Sequence, residues 1–198
     1  MSKIDFSDIN VPELIADMWE PLTEEQREYL SEHFTIQNFK KNEVVHFEGE
    51  TPTHLMCLLT GKVKIYKDGV GGRSQIIRMM KPVEYFGYRA YFSEQAYVTA
   101  AAAFEPSVIC LIPMTVITKL IRQNNDLAMF FIKQLSNDLG MSDTRTVNLT
   151  QKHIRGRLAE SLLFLKESYG IEEDGSTLSI YLSREDLANL SNMTTSNA

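Results

Sequence analysis

Leu55-Met-Cys-Leu-Leu-Thr-Gly-Lys-Val-Lys-Ile-Tyr66 is the stretch on which the fold turns. An apolar run reaches Leu59, Gly61 interrupts it, and Lys62 to Tyr66 then alternates polar with apolar side chains. Alternation with a period of two is the pattern of a strand with one buried face, and a short continuous apolar run fits a strand buried on both faces. The same texture extends outward in both directions. Phe34 to Phe39, Glu43 to Phe47, Ser74 to Arg78, Tyr97 to Ala103 and Val108 to Ile112 read as further strands. Gly49, Asp68-Gly69, Gly71-Gly72 and Pro82 punctuate them. Many short strands at regular spacing predict a closed or sandwiched β domain between Phe34 and Pro113, with Asp68 to Gly72 as a hairpin tip. Before it, residues 1–20 show no clear periodicity, and Thr23 to Phe34 reads as a helix opened by a Thr23/Gln26 capping box.

After Pro113 the period changes to that of helices. Thr115 to Arg122 is a short helix, and Asp126 to Thr150 is a long one without proline. Ala128, Ile132, Leu135, Leu139, Ser142, Thr146 and Leu149 recur at alternating spacings of four and three, the seam of two helices packed together. Gln134, Asn137, Asp138, Arg145 and Asn148 make the opposite face polar. A third helix covers His153 to Ser168 and ends at Gly170. Thr177 to Leu182 reads as a strand. The final stretch, Ser183-Arg-Glu-Asp-Leu-Ala-Asn-Leu-Ser-Asn-Met-Thr-Thr-Ser-Asn-Ala198, reads as a helix-turn-helix that stops inside its second helix. Ser183 caps its first helix with Asp186 in the capping-box position. Asn192 tolerates a left-handed turn, and Thr194 or Thr195 caps the second helix. In such a motif the second helix enters the major groove. A chain stopping there is expected to leave Leu187 and Leu190 without their partner helix, and to bind no operator DNA specifically.

Composition narrows the function classes. The 198 residues carry 20 Lys and Arg against 26 Asp and Glu, a net charge of −6 that argues weakly against nucleic-acid binding. No run of about 18 apolar residues suggests a membrane span, and the N-terminus lacks a secretory pattern. Cys57 and Cys110 sit in apolar surroundings at no metal-ligand spacing, so two buried thiols in a reducing cytoplasm are expected. No Gly-x-Ser-x-Gly or His-Glu-x-x-His pattern accompanies the His residues, so neither a catalytic nor a metal site is predicted.

The order of these parts resembles the Crp/Fnr family of bacterial transcription regulators. Glu48-Gly49-Glu50 and Thr60-Gly61-Lys62-Val63 resemble the glycine pattern of its β-roll. Tyr85-Phe86-Gly87, with Tyr91-Phe92, resembles the opening of its phosphate-binding cassette. Gly156-Arg157-Leu158-Ala159 and Ser183-Arg184-Glu185-Asp186-Leu187-Ala188 resemble its DNA-binding domain. The resemblance implies an α+β chain in which a double-stranded β-helix, the jelly-roll-like sensor domain of residues 1–125, precedes a dimerisation helix at 126–150. An incomplete winged helix-turn-helix at 151–198 would follow. It also implies a cytoplasmic homodimer acting on double-stranded DNA, with RNA polymerase as a further partner, no membrane, and a small-molecule effector of unknown identity.

The cyclic-AMP-binding members hold the phosphate with a Gly-Glu pair and an Arg in an Arg-Ser-Ala run. Here Gly87 is followed by Tyr88, and Ser93 to Ala103 contains no basic residue. Removing one partner of a buried charge pair costs about 3–5 kcal/mol, so cyclic AMP is not expected as the effector. The pocket candidates are Gly87, Tyr88, Arg89, Tyr97, Val98, Thr99 and Ser142, with Arg89 the nearest replacement cation and Ser142 where the family places a Thr against the nucleotide. The absence of Cys from residues 1–50 speaks against an iron-sulfur cluster. Haem is left open through His33, His46, His54 or Cys57. For DNA, Ser183, Arg184, Thr194, Thr195, Ser196 and Asn197 are the contact candidates, and Lys152, Arg155 and Arg157 the phosphate-steering ones. The rival reading is a β-roll module that regulates a protein partner instead of DNA.

Overall fold

The computed structural model describes residues 10–69 and 74–198; residues 70–73, and with them most of the expected Asp68–Gly72 hairpin tip, lie outside the described residues. Three short helices come first: α1 (Val11–Leu14), α2 (Ala16–Trp19) and α3 (Glu24–Ser31). Both bonds of the Thr23/Gln26 capping box are present at the start of α3. The strands follow as β1 (Thr35–Phe39), β2 (Val44–His46), β3 (His54–Thr60), β4 (Val63–Asp68), β5 (Ser74–Met80) and β6 (Tyr85–Phe86). A short helix α4 (Tyr88–Phe92) separates these from β7 (Ala100–Ala103) and β8 (Ser107–Pro113). The strands form two four-stranded antiparallel sheets, in the orders β1-β8-β3-β6 and β2-β7-β4-β5.

The apolar texture follows from which faces are covered. In β3 and β8, Leu55, Cys57, Leu59, Cys110 and Ile112 point to one face and pack against the flanking helices. Met56, Leu58 and Ile109 point to the other face, into the interior of the roll. The strands at the centre of this sheet are therefore buried on both sides, which explains their continuous apolar runs. Gly61 turns the chain at φ 88°, where an added Cβ would stand 2.4 Å from Ser107 Oγ and 2.5 Å from the Pro106 carbonyl, so no side chain fits. Cys57 and Cys110, distant in sequence, are directly opposed across β3 and β8, and burial pushes both thiols up, Cys110 to about 12.

Two expected strands are shorter than their patterns. Tyr97 to Thr99 precede β7 as irregular chain, since Tyr97 exchanges backbone bonds with Gly49 and Glu50 instead of a strand. Thr177 to Leu182 form only one bridge, Ile171 with Leu178. Helices α5 (Met114–Gln123), α6 (Asn125–Gln151), α7 (Ile154–Tyr169) and α8 (Arg184–Leu190) complete the described chain. Asn124 caps the long helix by accepting from the Asp126 and Leu127 amides. Among the described residues no helix is long and apolar enough to cross a membrane.

Candidate functional site

The end of β6 delivers the chain to Gly87, at φ 87°, which opens α4. A Cβ there would lie 2.5 Å from Met56 Cε and 3.2 Å from Tyr97 Oη, so the roll interior closes tightly over this glycine. Tyr97 is buried, and its ring stacks on His46 at a centroid distance of 3.8 Å and an angle of 22°. Burial pushes the Tyr97 phenol up to about 12 and lowers the His46 imidazole, with the Phe47 backbone and Glu50 opposing the latter shift. Phe39, Met56, Phe86 and Met80 complete this interior. Among the described residues the fully buried polar side chains are His46, Ser107, Asn189 and Ser191. Arg78, half-buried and opposite Ile65 across the β4–β5 ladder, lies on the interior face of the second sheet and pairs with Asp138. Surface grooves of about 600 Å³ between α3 and α5, and of about 330 Å³ beside Tyr91 and Arg122, lie away from this interior.

Of the pocket candidates, the fold brings Gly87 and Tyr97 together inside the roll. Tyr88 is buried on the opposite side, against Phe92 and Phe131 of the long helix, and its hydroxyl donates to Asp138 Oδ2 at 3.5 Å. Arg89 is exposed on α4. Val98 is exposed as well, and its carbonyl accepts from Lys67 Nζ at 2.9 Å. Thr99 is half-buried, and Ser142 is exposed on α6. The haem candidates sit apart. His33 contacts the Tyr29 carbonyl, His54 lies against the Thr53 hydroxyl, His46 is stacked in the roll, and Cys57 is buried beside Cys110.

Sequence reasoning missed a charged cluster where β5 meets the long helix. Asp138 pairs with Arg78 at 2.8 Å. Arg145 donates to the carbonyls of Ile76, Ile77 and Leu190. The sequence pattern places Asp138 and Arg145 on the polar face opposite the seam. They lie instead on the stripe of Leu127 and Phe131 that faces the chain's own roll, and their spacing of seven residues from Phe131 onward was the available signal. The predicted seam lies beside this stripe. Ile132 and Leu139 are 52% and 64% exposed, Ser142 and Thr146 are exposed, and Ala128, Leu135 and Leu149 are half-buried.

At the C-terminal end, Ser183 caps α8 by accepting from the Asp186 amide at 3.0 Å. Asn192 takes the left-handed conformation at φ 50°. Thr194 then begins a turn that receives the Asn197 and Ala198 amides. Ser183, Arg184, Thr194, Thr195, Ser196 and Asn197 are exposed. Arg157 faces inward, donating to the carbonyls of Asn192 and Leu149, whereas Lys152 pairs with Glu160. Leu187 and Leu190 pack against Ile76, Met79 and Phe104 of the roll, which supplies the cover expected from a partner helix.

An antiparallel β-roll with a cassette-like β6–α4 segment, followed by a long helix and a C-terminal helical segment that ends in α8 and a turn, defines the class of a sensor-type roll carrying a helical C-terminal part. Residues 36–124 match the cyclic nucleotide-binding domain family. A protein of Haemophilus influenzae is 32% identical over 116 residues, covering 58% of this chain and 87% of that protein. The global nitrogen regulator of a Nostoc species is 23% identical, covering 77% of this chain and 70% of its own length. Among solved structures, FixK2 from Bradyrhizobium japonicum superposes with a TM-score of 0.75 at 21% identity, over 83% of this chain and 80% of that one. The chain belongs to the Crp/Fnr family of transcription regulators.

Proposed function

We propose that the protein is a cytoplasmic, homodimeric transcription regulator that binds a two-fold symmetric site on double-stranded DNA, with a roll that does not take cyclic AMP as its effector. The observation that carries the effector reading is the filled roll interior. Tyr97 lies on His46, Met56 closes over Gly87, and Arg78, the cation on the interior face of β5, is already committed to Asp138. An unpaired phosphate in such an interior carries a large desolvation cost.

The dimer reading rests on α6. Its inner stripe is consumed by the roll, while Ile132 and Leu139, one above the other on the adjoining face, form an exposed apolar strip. A second copy of the helix buries that strip in the knobs-into-holes manner. An effector would act by favouring one arrangement of the paired helices over another.

Light scattering on the purified protein is expected to give twice the mass of one chain. Selection from a random duplex pool with the full-length gene product is expected to enrich a two-fold symmetric site. A monomeric mass together with no enrichment overturns the reading.

A further inference from the structure

The first helix of the helix-turn-helix is tied to the sensor domain by polar contacts as well as by packing. Its last residue, Leu190, has a carbonyl without an intrahelical partner, as at any helix C-terminus. Arg145 Nη2 donates to it at 3.2 Å. The same nitrogen donates to the Ile76 carbonyl at 2.5 Å, and Nη1 donates to the Ile77 carbonyl. Ile76 and Ile77 belong to β5, an edge strand of its sheet. One guanidinium on α6 therefore joins the edge of the roll to the end of α8. Gln75 adds a second tie, from Nε2 to the Asn189 carbonyl, and Lys64 on β4 stands 3.6 Å from Asp186.

Among the described residues the acceptors of Arg145 are the backbone carbonyls of Ile76, Ile77 and Leu190. The carboxylate two turns away on its own helix, Asp138, is engaged with Arg78 at 2.8 Å. The hydroxyl of Tyr88, on the cassette helix α4, reaches the other oxygen of that carboxylate. Arg78 lies close enough to Arg145 for the two positive charges to repel. Asp138 thus holds a neutralising charge next to the Arg145 contact and touches the helix nearest the candidate effector pocket.

We propose that Arg145 is a latch that holds the first helix of the DNA-reading motif against strand β5, and that the Asp138–Arg78 pair, in contact with Tyr88, sets how firmly the latch holds. The proposal rests on reading α8 as the start of a DNA-reading motif. A shift of α4 that draws Tyr88 and Asp138 from Arg78 leaves that cation uncompensated beside Arg145, and the ties to β5 and Leu190 weaken. The latch converts a change at the cassette into freedom of α8 to reorient.

Amide hydrogen exchange by mass spectrometry tests this without DNA. In Arg145→Met, residues 184–190 are expected to exchange about tenfold faster or more, the loss of a charge-assisted bond, while residues 127–135 keep their protection. In Asp138→Asn, which keeps Arg145, the same segment is expected to exchange roughly threefold faster. Exchange of residues 184–190 unchanged from the parent in both variants overturns the latch. If Arg145→Met fails to fold, Asp138→Asn and Gln75→Ala decide by the same readout, and unchanged exchange in both overturns it. A full-length gene product that binds no DNA would count against the proposed function and leave the exchange result standing.

Discussion

Val83 occupies the left-handed region at φ 68°, where its β-branched side chain is costly. Its amide donates to the Leu58 carbonyl at 2.7 Å, and this bond fixes the turn that leads into β6. The strain of about 1–2 kcal/mol exceeds the entropy that glycine forfeits, so Val83→Gly is expected to stabilise the protein by roughly 0.5–1 kcal/mol in urea unfolding. A loss of stability would show that the Val83 side chain contributes more than its backbone costs. His46 gives a pH prediction. Burial lowers its folded pKa below the unfolded value near 6.5, so its contribution is complete above that value and is lost as pH falls through it. Between pH 7.5 and 5.5 the parent is expected to lose more stability than His46→Phe, by at most about 1.4 kcal/mol per pH unit. Equal slopes would show that His46 does not carry this pH dependence. At this scale, residues whose role is set by backbone shape were legible. Gly61 and Asn192 announce their turns because few other residues reach those conformations. Asp138 and Arg145 were not, because a polar residue on a helix reads as solvent-facing until a strand edge is known to lie against it.

The long helix carries the element-scale argument. Its heptad pattern was legible because a narrow apolar stripe persists along it, but a stripe says nothing of the neighbouring face that docks on the roll. Leu139 lies on the exposed strip. Leu139→Glu is expected to shift the protein towards monomer in light scattering by placing like charges across the two-fold seam, with the single-chain thermal midpoint little changed. A dimer that survives this change would place the interface elsewhere. Helix α8 adds a second test. Ser183→Ala removes its cap and is expected to cost about 1 kcal/mol, read as faster hydrogen exchange over residues 184–190. The segment after Gly170 shows the limit of pattern alone. Thr177 to Leu182 alternates as a strand does, yet it finds only one bridge, because Leu178, Ile180 and Leu182 pack onto the outside of the roll instead of into a ladder.

Across the whole molecule, three apolar clusters account for the arrangement. Helices α1 to α3, α5 and α6 cover one face of the first sheet, the two sheets enclose the roll interior, and the C-terminal segment covers the outside of the second sheet. The first two clusters were legible as a β domain followed by helices, since strand period and helix period mark them in sequence. The third was not, because it joins segments about a hundred residues apart whose apolar residues each fit a local helix or strand. Inside this roll of the cyclic-nucleotide-binding type Tyr97 is stacked on His46, and Arg78, the cation on the interior face of β5, is committed to Asp138, so the proposed function gives cyclic AMP no free partner for its phosphate. Isothermal titration of the intact protein with cyclic AMP tests it most directly. No saturable heat is expected up to roughly millimolar nucleotide, whereas saturable binding with a micromolar dissociation constant would overturn the proposed effector reading.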